Sequence, residues 1–234
     1  MKISIIIPAY NEEKYIGKTL ESINNLEKKA GWEIEVIVVN GDSTDKTVEV
    51  AKQYSARVLN EPHKGIGFAR QQGLLHAQGG IVAFTDADTI VPKDWLKKHL
   101  TALADSEVVC SYGNFRVSEG SFPYFPITNY LQPLSIALAY KVGIFRAPGQ
   151  NIACKREPAL AIGGFDEKLM MFEDADFVKR LGKVGKVRYL QNCVVTSSGR
   201  RSKEGWRFIL RAGIADIQFF VFGVRKFRKF PNFR

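Results

Sequence analysis

The sequence predicts an α/β protein whose first 110 or so residues form a mostly parallel sheet with helices on both faces. Two observations lead there. Five stretches, Ile3 to Ile7, Ile34 to Val39, Ala56 to Leu59, Ile81 to Phe84 and Val108 to Tyr112, are largely apolar without a clean alternation, the pattern of strands buried on both faces. Between them apolar residues recur at spacings of three and four, and strand alternating with helix closes into a parallel sheet through right-handed crossovers.

The elements follow in order. Pro8 ends the first strand, and Ile16, Leu20, Ile23 and Leu26 mark the first helix, with Asn11 as its expected N-cap. A second helix spans Thr47 to Tyr54 behind Ser43 or Thr44, a third Phe68 to Ala77, and a fourth Trp95 to Leu103 with Pro92 near its first turn. After Tyr112 the pattern becomes irregular, with Pro123, Pro126, Pro133 and Pro148 punctuating an apolar stretch from Tyr124 to Phe145. Order resumes with a helix from about Asp174 to Leu181, a strand near Val187 to Leu190 and another at Cys193 to Thr196. Residues 1–110 thus read as one half of a domain, 111–199 as its second half and 200–234 as a tail.

Composition narrows the class. The chain has 234 residues, 45% of them hydrophobic, with 34 Lys and Arg against 24 Asp and Glu, which excludes a disordered or collagen-like chain. Ten of the basic residues and only two acids fall in residues 200–234, so the net charge of +10 belongs mostly to the tail. Cys110, Cys154 and Cys193 are odd in number and lack CxxC spacing, which predicts reduced thiols in an intracellular protein rather than a disulfide scaffold or zinc site. The N-terminus reads as a strand, not a signal peptide. The best spanning candidates are broken by Lys141 and Arg146 or by Asp216 and Gln218, short of the roughly 20 apolar residues a crossing needs. The expected location is cytoplasmic.

In an open parallel sheet a ligand sits beyond the carboxyl ends of the strands. That rule selects Pro8 to Asn11, Asn40 to Asp45 and Thr85 to Thr89. No GxGxxG follows the first strand and no GxxxxGK[ST] occurs, so the usual phosphate cradles are absent. Asp86 and Asp88, two residues apart after an apolar strand, suit a divalent cation bound jointly with substrate phosphates, or a ribose hydroxyl; they equally suit a cap or Asx-turn before the next helix.

Six segments in register carry a resemblance: Ser4-Ile-Ile-Ile-Pro-Ala-Tyr-Asn-Glu-Glu13, Val38-Val-Asn-Gly-Asp-Ser-Thr-Asp-Lys-Thr47, Gly67-Phe-Ala-Arg-Gln-Gln-Gly73 with Ala77-Gln-Gly-Gly-Ile81, Phe84-Thr-Asp-Ala-Asp-Thr89, Ile162-Gly-Gly-Phe-Asp-Glu167 and Phe172-Glu-Asp-Ala-Asp-Phe177. Over about residues 2–199 the chain resembles the family 2 glycosyltransferases, which have the three-layer, Rossmann-like GT-A fold. The resemblance implies an inverting transferase that takes a sugar from a UDP- or GDP-linked donor. It implies that Asp88, with Asp86, holds Mg²⁺ or Mn²⁺ at the donor diphosphate. By the same resemblance Pro8, Ala9, Asn11 or Glu12, and Asp42 lie where the nucleoside is held, Arg70 lies where a cation approaches the donor, and Asp174 matches the general base. Two departures stand out. The order Asn40-Gly41-Asp42-Ser43 replaces the usual Asp-Asp-Gly-Ser, and Thr196-Ser197-Ser198-Gly199 stands where many members carry a His that can join the metal.

The tail combines Trp206, Ile209, Leu210, Ile214, Ile217, Phe220, Val221 and Val224 at roughly helical spacing with Arg225, Lys226, Arg228 and Lys229. This amphipathic, basic and aromatic profile predicts peripheral contact with an anionic membrane; cover for the domain's own core fits the same pattern. With the apolar stretch at 124–145 it favours a polyprenyl-lipid-linked or other sugar acceptor. Competing readings are a non-catalytic nucleotide-sugar-binding relative, a sugar-phosphate nucleotidyltransferase, and a nucleic-acid-binding module using the tail. The acidic strand-end loops argue against nucleic acid, and Pro8-Ala9-Tyr10-Asn11 stands where a nucleotidyltransferase needs a Gly-rich basic loop.

Overall fold

The first strand sets the architecture. Ile3, Ile5 and Ile7 pack on one face of the sheet and Ile6 on the other, all fully buried, so helices must cover both faces. The computed structural model describes residues 1–63 and 65–225. It contains an eight-stranded sheet in the order β3-β2-β1-β4-β7-β6-β8-β5, formed by β1 (Lys2–Ala9), β2 (Glu33–Asn40), β3 (Arg57–Asn60), β4 (Ile81–Phe84), β5 (Thr89–Ile90), β6 (Val108–Val117), β7 (Ile152–Lys155) and β8 (Lys186–Ser197). The β1–β2, β1–β4, β2–β3 and β6–β8 pairs are parallel, and the three pairs involving β7 or β5 are antiparallel.

One face carries α1 (Ile16–Asn24) and α4 (Trp95–Leu103), whose Ile16, Leu20, Ile23, Trp95 and Leu96 join Ile3, Ile5 and Ile7. The other carries α3 (Ile66–His76), α7 (Arg156–Ala161) and α8 (Glu173–Leu181), where Leu74, Ala159 and Phe177 join Ile6, Val39 and Phe84. α2 (Thr47–Gln53) lies beside α1. The irregular stretch after β6 is helical: one turn, α5 (Tyr124–Pro126), a π-turn at Ile127–Leu131 and α6 (Gln132–Lys141). A short 3₁₀ turn, Arg200–Glu204, leads from β8 into α9 (Trp206–Phe220). Among the described residues no helix is long and apolar enough to cross a membrane.

Local expectations need correction in four places. Asn11 does not cap α1, which starts after Tyr15 without a side-chain cap; Asn11 has φ 55° and its Oδ1 instead accepts the Thr44 amide at 2.8 Å. Neither Ser43 nor Thr44 caps α2, because Asp45 Oδ1 takes the Thr47 amide at 3.0 Å. The two strands expected at 187–190 and 193–196 are one strand. Between those two stretches β8 carries a register shift opposite Gly113 and Asn114, and Asn114 Nδ2 donates to the Gln191 carbonyl in that break. The central strand β7 gave no signal, since Ile152-Ala-Cys-Lys155 carries a single large aliphatic residue, unlike the equally short Ile81-Val-Ala-Phe84 of β4.

Two adjacent glycines separate packing from chain entropy. A Cβ on Gly79 would meet the Ser4 amide nitrogen at 2.6 Å, whereas one on Gly80 would meet nothing within 4 Å. Gly79→Ala is expected to cost about 1–3 kcal/mol by overpacking and Gly80→Ala to stay within about 0.5 kcal/mol, as read from urea unfolding midpoints of the two variants.

Candidate active site

The carboxyl ends of β1, β2 and β4 converge with the end of β8. The loops after β1 and β2 are knitted together: the Asn11 amide donates to Ser43 Oγ at 2.9 Å, the Glu12 amide to Thr47 Oγ1 at 2.7 Å, and Asn40 Oδ1 accepts the Ser43 amide at 3.1 Å. Pro8 and Ala9 end β1, with Ala9 buried. Asp42 is exposed at φ 64°. Asn40 thus braces the loop from within, while the carboxylate at position 42 faces outward.

Asp88 is fixed by β8. Thr89 pairs with Ser197, the Ser198 amide donates to the Asp88 carbonyl at 3.1 Å, and the Ser198 hydroxyl donates to Asp88 Oδ2 at 2.5 Å. Arg200 forks onto Glu12, with Nη1 to Oε2 at 2.6 Å and Nη2 to Oε1 at 2.8 Å, and its Nη2 lies 3.1 Å from Asp88 Oδ2. Burial lowers the pKa of this guanidinium, but the Glu12 hydrogen bond and the Asp88 and Glu12 charges more than reverse it, so the pKa is raised.

Arg70 joins the donor-side loop to α8. It is 2% exposed; Nη2 donates to Asp86 Oδ1 at 2.9 Å and Nη1 to Glu173 Oε1 at 2.5 Å. Gly149 lies against the guanidinium so closely that a Cβ would stand 2.4 Å from its central carbon, and the Gly149 amide donates to Asp174 Oδ2 at 2.8 Å. The Ala175 amide donates to Asp174 Oδ1 at 2.7 Å. Three carboxylates therefore surround one guanidinium. Burial pulls the Arg70 pKa down, but Asp86, Glu173 and Asp174 outweigh it and raise it. Burial raises Asp174 against the pull of Arg70 and the two amides. Burial and the Asp174 charge push Glu173 up to about 7, Arg70 notwithstanding.

Backbone strain gathers at the same place. Of the four non-glycine residues with positive φ among those described, Asn11, Asp42 and Phe172 lie in the loops just described or directly before Glu173. Such conformations cost of order 1–3 kcal/mol and persist only where surrounding contacts enforce them. For Phe172 the contact is α9: its ring stacks on Phe219 at 4.7 Å between centroids, and Asp216 of α9 pairs with Arg146.

Residues 4–175 match the family described as Glycosyl transferase family 2. The chain belongs to this family. It is 31% identical over 203 residues to the glycosyltransferase GlyA of Streptococcus pneumoniae, covering 82% of this chain and 28% of GlyA. It is 43% identical over 97 residues to the dolichyl-phosphate beta-glucosyltransferase ALG5D of Trichomonas vaginalis, covering 37% of this chain and 30% of that protein. Both comparisons take in under a third of the relative's length. Among solved structures, the mannosyltransferase PcManGT of Pyrobaculum calidifontis, in complex with GDP-Man and Mn²⁺, superposes with a TM-score of 0.74 at 24% identity, covering 98% of this chain and 66% of that one. That likeness identifies the GT-A fold.

Within this family 2 domain the structure brings Glu12, Asp88 and Arg200 together on one side and Arg70, Asp86, Glu173 and Asp174 on the other. Ser198, Gly149 and Glu173 as the Arg70 partner gave no sequence signal as a group, because their contacts bridge 25 to 110 positions. A metal has few protein ligands: among the described residues no group of three or more His, Cys, Asp and Glu could hold one. Asp88, with Ser198 beside it and Asp86 already tied to Arg70, fits a hard cation that draws its remaining ligands from a diphosphate and water, the usual habit of Mg²⁺.

Because the Glu173 carboxyl is raised to about 7, the folded chain holds more protons than the unfolded one between about pH 4.5 and 7. That part of the stability is lost as the pH rises through this window. The Tm at pH 5 minus the Tm at pH 8 is therefore expected to be larger for the wild type than for Glu173→Gln in scanning calorimetry; equal differences would refute the assignment.

Proposed function

We propose that this chain is an inverting, metal-dependent hexosyltransferase. It would move a sugar from a UDP- or GDP-linked donor to an acceptor hydroxyl, with residues 1–110 forming the donor half and 111–199 the acceptor half. The observation that carries this reading is the Arg70 bridge, which ties Asp86 on the donor side to Glu173 beside Asp174, so that a diphosphate and a proton acceptor share one cleft.

The steps follow from the residues. Pro8, Ala9, Asn11, Glu12 and Asp42 line the nucleoside end, and Asp86 is oriented by Arg70 rather than by solvent. A Mg²⁺ or Mn²⁺ ion at Asp88 would supply Lewis-acid stabilisation of the departing diphosphate. Asp174, its two oxygens aimed by the Gly149 and Ala175 amides, takes the acceptor proton as the acceptor oxygen attacks the anomeric carbon. The bond from that carbon to the diphosphate breaks on the opposite face. Burial raises the Asp174 pKa towards the working pH, where a general base is most effective.

The test separates donor binding from chemistry. UDP and GDP with Mn²⁺ are expected to raise the Tm of wild type and Asp174→Asn alike, one nucleotide more than the other, and to leave Asp88→Ala unmoved. Asp174→Asn should lose about 10²–10⁴-fold in kcat. A Tm shift that survives Asp88→Ala, or transfer that survives Asp174→Asn, would overturn these assignments.

We further propose a lipid-linked acceptor reached from an anionic membrane surface. Trp206, Leu210, Ile214, Ile217 and Val221 form one stripe along α9 and are 52–70% exposed, while Ala215 and Phe219 on the opposite side are buried. α6 adds exposed Leu134 and Leu138, with Leu131 and Val142 at its ends. An apolar face of this extent marks an interaction surface, and Lys226, Arg228 and Lys229, which lie outside the described residues, favour anionic lipid by about 1 kcal/mol each near the surface; Arg225 is instead paired with Asp166 and Asp176. The curated relative named as a dolichyl-phosphate glucosyltransferase supports a lipid-linked acceptor. Flotation with phosphatidylglycerol vesicles at low salt should carry the wild type upward and leave the Leu210→Asp/Ile214→Asp variant in the soluble fraction; equal recovery would sink the proposal.

A further inference from the structure

Arg200 occupies a position that the donor-site reading reserves for other cations. Gly199 precedes it and touches the Glu119 backbone so closely that a Cβ would overlap the carbonyl, which pins the end of β8 and aims the next side chain inward. The Glu12 carboxylate is 4% exposed and Asp88 12% exposed. Left without a partner, two carboxylates at this depth would carry a large desolvation cost. The guanidinium removes it by forking onto Glu12, approaching Asp88 Oδ2 at 3.1 Å and lying over the Tyr15 ring at 5.2 Å.

We propose that Arg200 is a resident counter-cation that competes with the divalent ion for Asp88, so that the metal–donor complex binds only as the guanidinium is displaced. This rests on the reading of Asp88 as the metal residue. Two physical facts carry the competition. Asp88 Oδ2 already receives the Ser198 hydroxyl at 2.5 Å and faces Arg200 Nη2 at 3.1 Å, whereas a Mg²⁺ ion needs an oxygen lone pair at about 2.0–2.1 Å. A dication and a guanidinium on one carboxylate also repel one another at short range in a site partly shielded from water. Arg200 thus holds the two loops together and lowers the affinity for metal alone. A diphosphate reverses the balance, because its negative charge adds to the hold on the metal at Asp88 and offers the displaced guanidinium a new partner.

The test uses Mn²⁺ alone, with free aquo-Mn²⁺ counted by electron paramagnetic resonance, on wild type, Arg200→Gln, Arg200→Lys and Arg200→Gln/Asp88→Asn. Arg200→Gln is expected to bind Mn²⁺ at least tenfold more tightly than wild type, and the added Asp88→Asn to abolish the gain. Arg200→Lys should fall between, because an ammonium cannot fork onto Glu12. Equal or weaker binding in Arg200→Gln, or a gain that persists without Asp88, overturns the proposal. If Arg200→Gln fails to fold by circular dichroism, Arg200→Lys decides alone: tighter binding supports competition and unchanged binding overturns it. Titration of wild type with UDP and GDP separates the two readings. Normal nucleotide binding without an Arg200 effect sinks only the competition, and an Arg200 effect without nucleotide binding sinks only the donor reading.

Discussion

The buried guanidinium of Arg70 is the constraint around which the site is arranged. A cation that is 2% exposed must be neutralised on the spot, and it is held by Asp86 from the loop after β4 and Glu173 from the start of α8, 103 residues further along than Arg70 itself. Breaking a buried pair of this kind typically costs about 3–5 kcal/mol, enough to fix the loop and the helix relative to one another. Gly149 follows from the same constraint, since any side chain there would enter the space of the guanidinium. The amide of that glycine then aims Asp174. One charge thereby decides a backbone position and a side-chain orientation, and it pulls down the pKa of two carboxyls that burial raises.

The remainder of the fold supplies anchors for this arrangement. Asn151 sits at the head of β7 and accepts from Trp95 Nε1 at 2.9 Å while donating to the Asn114 and Cys193 carbonyls. It ties α4, β6 and β8 to the strand beside β4. Because it is fully buried, each of those groups would be left unsatisfied without it. The second charged cluster, Glu12, Asp88 and Arg200, rests on this frame through the β5–β8 pairing. The two clusters lie at successive strand ends, Asp88 in one and Asp86 in the other being two positions apart in the loop after β4.

α9 serves two environments. Its inner side stacks Phe219 on Phe172 and sets Asp216 on Arg146, holding the strained residue that precedes Glu173. Its outer side presents apolar side chains to solvent. A helix apolar on both sides is ordinarily buried on both, so the outer stripe marks a face suited to a partner surface. The proposed membrane contact would use this outer side, while the inner side braces the turn before Glu173.

The sequence by itself determined the elements whose signal is local. Unbroken apolar runs forced β1, β2 and β4 to be buried on both faces, three- and four-residue spacing placed α1 and α4, and the parallel order located Pro8, Asn11, Asp42, Asp86 and Asp88 at strand ends. It also named Arg70 and Asp174 through the order of the family segments. It missed β7, whose Ile152-Ala-Cys-Lys155 has a single large aliphatic residue, and misassigned Asn11 and Ser43 or Thr44 as caps, because a side-chain oxygen bonds equally well to its own helix or to a neighbouring loop. Only the tertiary structure decided which charges meet. Arg70 faces Asp86 and Glu173 rather than solvent, and Arg200 faces Glu12 from 188 positions away, because pairing of buried charges is fixed by the packing of the sheet ends and leaves no periodic trace in the chain.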